Sequence, residues 1–140
     1  MRINLLPTML ASVLLFNTGC GAAEPMKTQN DLSAILQQVI DAKQLSGYFH
    51  ADDLPERVPL RLLKNQWIHK GLKLRKFGYP VEIIPNSETH QAYMNITDLA
   101  LGKNTARLVF EYPPEGLAGT AKLSHQNDAW VLDTMTLREK

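Results

Sequence analysis

The clearest pattern of hydrophobic and polar positions predicts an amphipathic helix that begins near residue 31. Apolar side chains recur at intervals of three and four, which places them on one face of an α-helix: Leu32, Ile35, Leu36, Val39 and Ile40. Asn30 or Thr28 can cap this helix, and Asp31 favours the positive end of its dipole. The Ser46-Gly47 pair predicts where the helix ends.

Shorter apolar segments, bounded by turn residues, predict strands in the rest of the chain. Four of them are brief: 60–63, 72–77, 81–84 and 92–96. Three others are longer and more regular: 106–112, 120–125 and 129–138. Short breaks separate these three, so we expect them to form a three-stranded antiparallel meander. Residues 99–102 read as a short turn or helical piece.

One helix followed by five to seven strands predicts a single α+β domain over residues 31–140. We expect the N-terminal amphipathic helix to pack on a curved antiparallel sheet that ends in the meander. This layout resembles the NTF2-like and cystatin-like folds. The resemblance is architectural and carries no function with it.

Residues 1–19 have the pattern of a secretory signal peptide. Arg2 is their single charge, and an apolar core over 5–16 leads to the small residues Thr18 and Gly19. Twelve helical residues span about 18 Å, whereas the hydrocarbon core of a bilayer is about 30 Å thick. A permanent transmembrane helix is therefore not expected from this segment.

Cys20 is the only cysteine of the chain and directly follows the apolar core. The run Thr18-Gly19-Cys20-Gly21 resembles the bacterial lipoprotein processing site, in which the cysteine is acylated and becomes the mature N-terminus. Asn17 stands where that family usually has an aliphatic residue.

The resemblance also implies a location. Gly21, rather than aspartate, after the cysteine implies transport to the outer membrane, where the protein would face the periplasm. Residues 20–30 would be the lipidated cysteine and a flexible tether. The alternatives are that Cys20 stands there by chance, or that ordinary signal peptidase cleaves after 21–23, which would give a soluble periplasmic or secreted protein.

Charge is balanced overall but concentrated in one stretch. The chain has 15 basic and 14 acidic residues, and Arg2 belongs to the leader, so the mature domain is formally neutral. Residues 57–76 contain no acid and seven bases, with Trp67 among them as a possible exposed anchor. The candidate partner-binding residues are Arg61, Lys64, Trp67, Lys70, Lys73, Arg75 and Lys76.

In an exported protein the expected anionic partners of these bases are lipid head groups, lipopolysaccharide, peptidoglycan carboxylates or an acidic protein surface. Nucleic acid is not expected as a partner. The alternative is a pair of strands whose outward faces are basic and are balanced by acids elsewhere in the fold.

Candidate chemistry is sparse. The histidines His50, His69, His90 and His125 lack the spacing of a helical metal site. His50 with Asp52 could transfer a proton, and Glu111 with Glu115 could form a carboxylate pair, but turn residues and an exposed strand face account for them better. No nucleophile elbow and no phosphate-binding glycine loop is present, so we expect no catalytic residue, metal or cofactor.

The leading hypothesis is a non-catalytic, membrane-tethered envelope domain that binds a protein or an envelope polymer. A specific version is an immunity or inhibitor protein against an envelope-targeting toxin or hydrolase. The alternatives are a small ligand-binding or enzymatic domain with a pocket in its curved sheet, and a structural accessory in envelope assembly.

Overall fold

The structure is a computed structural model that describes residues 29–87 and 92–140. Two helices form at the start of the described chain. The first, α1 (Gln29–Ile40), buries one face in the core. The second, α2 (Lys43–Phe49), buries Leu45 and Phe49. The predicted signal peptide, Cys20 and most of the tether lie outside the described residues, as does His90.

The helix does not end where Ser46-Gly47 predicts. The extended backbone of Ala42 interrupts it instead, with φ −61° and ψ 133°. Ser46 and Gly47 lie inside α2, and His50 ends that helix in the left-handed conformation at φ 51°. The break turns the chain so that Leu45 and Phe49 reach the core, which one straight helix would not allow.

The main sheet is antiparallel and consists of four strands: β5 (Asn95–Leu101), β6 (Thr105–Tyr112), β7 (Leu117–Gln126) and β8 (Ala129–Glu139). They lie side by side in that order. The predicted meander is confirmed and corresponds to β6, β7 and β8. The prediction of a turn or helical piece over 99–102 is wrong, because Leu99 to Leu101 pair with β6 as the end of β5.

Four short strands form two smaller sheets. β1 (Arg61–Leu63) pairs in parallel with β4 (Glu82–Ile84), and Met94 continues this pairing on the other side of β1. β2 (Arg75–Lys76) and β3 (Tyr79–Pro80) form a small antiparallel hairpin. The α+β class is confirmed, but the strands of the described residues are divided among three sheets rather than joined in one.

The core lies between the helices and one face of the main sheet. The alternate residues of β6 that face it are fully buried: Ala106, Leu108, Phe110 and Tyr112. Trp130 of β8 closes the core beside α1, and its indole Nε1 donates a hydrogen bond to Asp31 Oδ1 at 3.2 Å. Within the described part of the chain, no helix is long and apolar enough to cross a membrane.

Candidate functional site

Two of the candidate partner-binding residues are largely buried and are used inside the fold. The side chain of Arg61 is 11% exposed, and its Nε lies 3.4 Å from Glu82 Oε2. The side chain of Lys76 is 15% exposed, and its Nζ lies 3.2 Å from Asp41 Oδ1. The same Nζ lies 5.5 Å from the ring centroid of Phe77, a cation–π distance. These two bases form ion pairs between neighbouring elements of the fold. Little of their charge is accessible to a binding partner.

Three of the remaining bases follow one another along α1. Lys70, Lys73 and Arg75 are exposed, and we call these three residues the basic ridge. Their backbone is held by α1, because Lys73 N donates to Ser33 Oγ at 3.0 Å and Arg75 N donates to Gln37 Oε1 at 3.1 Å. Of the strand predicted over 72–77, only β2 forms. The side chains of α1 bind backbone N–H groups of this segment that a neighbouring strand would otherwise have bound.

Lys64 and Trp67 lie apart from the basic ridge. Lys64 is exposed and follows β1, where its backbone N donates to Ile84 O at 2.8 Å. Trp67 is half-buried and packs against the core, so only part of its ring is accessible. Asn65 fixes this loop, because its Oδ1 accepts hydrogen bonds from the backbone N of Trp67 and of Ile68.

The structure reveals a polar cluster around Arg57 that local sequence patterns do not indicate. Arg57 Nη1 lies 2.5 Å from Glu115 Oε1, and the Arg57 side chain is only 12% exposed. Its guanidinium lies 5.9 Å from the centroid of the Tyr112 ring. His50 Nε2 approaches the same carboxylate oxygen at 3.6 Å. Burial raises the pKa of the Tyr112 phenol, and this effect outweighs the opposing effect of the Arg57 charge.

This cluster joins three segments that are distant in the sequence. Arg57 also donates to Tyr48 O at 3.4 Å, which links the end of α2 to the turn that contains Glu115. Glu111, the other candidate carboxylate, pairs with Lys140 Nζ at 2.6 Å. Both carboxylates are thus neutralised by basic side chains. The cluster around Arg57 therefore stabilises the fold by linking separate segments of the chain.

The other sequence candidates do not converge. Asp52 is exposed, whereas His50 pairs with Asp53 at 3.9 Å. His69 Nδ1 accepts a hydrogen bond from Gly71 N, and the His125 ring contacts Trp130 in a tilted arrangement, at 5.1 Å between centroids. In residues 29–87 and 92–140, no group of three or more His, Cys, Asp or Glu side chains could hold a metal ion.

The long strand β8 presents a further candidate surface. It pairs with β7 along one edge, and no strand of the described residues pairs with its other edge. Thr134, Thr136 and Arg138 are exposed along this strand. A shallow depression of about 210 Å³ lies beside them, between Val109, Thr120 and Thr136.

Comparison with known proteins gives no relative for this chain: no family model, no curated protein and no solved structure matches it.

Proposed function

We propose that this chain is a lipid-anchored domain of the bacterial cell envelope that binds a protein partner and catalyses no reaction. The anchor is the acylated Cys20, which follows the apolar segment of a secretory leader. Two or three acyl chains, at about 0.8 kcal/mol for each buried methylene, would hold the domain firmly on the membrane.

The unpaired edge of β8 is the observation that carries the proposal of a protein partner. β8 has 11 residues and is the longest strand that the structure describes. An open edge presents backbone N–H and C=O groups to which an extended segment of another protein can add a strand. Backbone hydrogen bonds then supply affinity, and the side chains beside the edge supply specificity.

β8 carries few of the features that protect sheet edges. Natural edge strands are commonly guarded by lysine, proline or a bulge, and β8 contains neither lysine nor proline. Its register shifts once, opposite Lys122 and Leu123, where Asp133 Oδ1 accepts a hydrogen bond from Ser124 Oγ at 2.9 Å. The segment that follows, 134–139, continues in regular pairing with β7 and has no lysine, proline or bulge, and its charged residues, Arg138 and Glu139, lie at its end.

A protein partner suits this surface better than a small molecule does. The depressions lined by Thr136 and by Asp133 measure about 210 and 540 Å³ and are open to solvent. Sites for small molecules usually enclose most of the ligand surface and have a few polar groups that point at the ligand. The specific version that we favour is an immunity or inhibitor protein, whose exposed strand would pair with an envelope-targeting toxin or hydrolase.

The anchor is tested by metabolic labelling with palmitate in a bacterial host. The wild-type chain is expected to carry the label and to fractionate with outer membranes, whereas Cys20→Ser removes the only thiol and abolishes both. Ser12→Ala, inside the leader, is the control and should leave the label unchanged. Retention of the label by Cys20→Ser would overturn the anchor.

The partner surface is tested by placing a photoreactive phenylalanine analogue at Thr136 of β8. The control position is Ala100 of β5, which is also exposed but lies at the opposite edge of the sheet. Strand addition at β8 predicts an adduct of one discrete mass from Thr136 and none from Ala100. Equal adducts would indicate a partner on the sheet face, and adducts from Ala100 alone would contradict the proposed edge.

A further inference from the structure

We infer that the basic ridge lies against the anionic phospholipid headgroups of the membrane that carries the anchor. This inference rests on the proposed acylation of Cys20. It adds an orientation to the proposed function, because the helix layer of the domain would then face the bilayer. Lys70, Lys73 and Arg75 would supply the attraction.

The basic ridge begins beside the first residue of α1. A Cβ atom on Gly71 would lie 2.9 Å from Gln29 Nε2, which shows that the chain after Lys70 contacts the start of the helix. The ridge then runs in the direction of α1, because Lys73 is bound by Ser33 and Arg75 by Gln37. These hydrogen bonds hold the ridge in place along the helix.

The length of chain between the anchor and α1 keeps the basic ridge near the membrane. Nine residue steps separate Cys20 from Gln29, and a fully extended chain covers at most about 3.3–3.6 Å for each residue. The start of α1, with Lys70 beside it, therefore lies within about 30 Å of the bilayer surface. When the tether is less than fully extended, the basic ridge can contact the headgroups directly.

The charge of the basic ridge is not neutralised by the elements packed against it. The α1 side chains that touch this segment are neutral, namely Gln29, Ser33 and Gln37. Two acids of neighbouring elements pair with other bases: Asp41 binds Lys76, and Glu82 binds Arg61. Within residues 29–87 and 92–140, none of the three ridge side chains forms an ion pair.

Each base beside an anionic membrane strengthens attachment by about fivefold, through an attraction that decays within a Debye length. Three exposed bases that follow one another along α1 are therefore enough to favour one orientation of a tethered domain. An acidic protein or polymer could also bind these bases, but the short connection to the anchor favours the lipid surface.

The test is amine footprinting of the full chain, purified from the envelope in detergent and reconstituted into vesicles. Mass spectrometry first decides whether Cys20 is acylated, so a failure of the anchor is recognised separately. Acetylation of Lys70 and Lys73 is then compared between phosphatidylcholine vesicles and vesicles with 30 mol% phosphatidylglycerol. We expect at least fivefold slower acetylation in the anionic vesicles, and recovery of the rate in high salt.

Arg75→Glu keeps both reporter lysines and changes the basic ridge by two charge units, which weakens attachment by about 30-fold. One net positive charge then remains on the basic ridge, so the difference between the two vesicle types should fall severalfold below that of the wild-type chain. The matched control is Lys122→Glu on β7, whose side chain is exposed on the sheet face opposite the helices. This control should keep the full difference.

Equal acetylation rates in the two vesicle types would overturn the inference even if Cys20 is acylated. Protection that appears in whole envelopes, but not in anionic vesicles, would assign the basic ridge to a protein or polymer and would equally overturn it. If Cys20 is not acylated, the same vesicles are added to the soluble protein. Selective protection would then support headgroup binding while the anchor fails.

Discussion

Replacement of Gly119 by alanine is expected to lower the free energy of unfolding by about 3 kcal/mol. Gly119 lies on β7 opposite Phe110 of β6. A Cβ atom built on Gly119 would lie 2.7 and 2.8 Å from the two Cε atoms of the Phe110 ring and closer still to its Cζ. Phe110 is fully buried, so its ring cannot move aside without disturbing the core. Urea denaturation monitored by circular dichroism measures the loss.

A matched glycine gives the opposite result. Gly47 lies inside α2, and no heavy atom outside its own helical turn lies within 4 Å of its Cβ position. Gly47→Ala should therefore stabilise the protein by about 0.5–1 kcal/mol through helix propensity alone.

A double-mutant cycle with Phe110→Leu identifies the cause of the Gly119→Ala loss. The two substitutions should cost less together than the sum of their separate effects, because the smaller side chain relieves the clash. Strictly additive costs, or no loss in Gly119→Ala, would show that the ring does not limit this position.

The parts of the fold that follow local patterns were predictable from the sequence. Alternation of apolar and polar residues locates β6, β7 and β8, and the short breaks between them imply antiparallel pairing. The 72–77 segment shows the limit of this reasoning. It has the apolar spacing of a strand, but Ser33 and Gln37 of α1 bind its amides, and the sequence pattern contains no sign of that distant competition.

The candidate site was less predictable, because ion pairing in this fold is non-local. Seven bases within 57–76 resemble one basic surface in the sequence. In the structure, Arg57 pairs with Glu115, which is 58 positions away in the sequence. Lys76 pairs with Asp41, which is 35 positions away. What remains of the basic surface is mainly the basic ridge, in which Lys73 and Arg75 alternate with the buried Leu72 and Leu74. The alternation of residues 72–75 identifies exposed bases that charge density alone does not, although only Arg75–Lys76 of this segment forms a strand.

The open edge of β8 could not be recognised from the sequence either. The pattern of 129–138 predicts a strand but does not say whether that strand lies inside a sheet or at its edge. Its place follows from the order of the strands and from the position of the helices, which pack on one sheet face. A binding mode that depends on backbone groups leaves little trace in side-chain composition.

Phe49→Ala is expected to lower the free energy of unfolding by about 4 kcal/mol. Phe49 ends α2 and is fully buried, with its ring edge-to-face against Phe77 at 5.5 Å and Tyr112 at 5.3 Å between centroids. The alanine variant loses both aromatic contacts and leaves a cavity beneath Lys76, whose Nζ lies 5.7 Å from the Phe49 ring centroid.

The cost is high because α2 depends on this side chain for its attachment. A seven-residue helix is not stable alone and requires packing against the rest of the fold. Hydrogen exchange should therefore show α2 opening before the main sheet in Phe49→Ala. Tyr79→Ala is the control, because that ring is 55% exposed and its loss should change stability by no more than about 0.5 kcal/mol. A Phe49→Ala loss below about 1 kcal/mol would mean that α2 contributes little to the cooperative core.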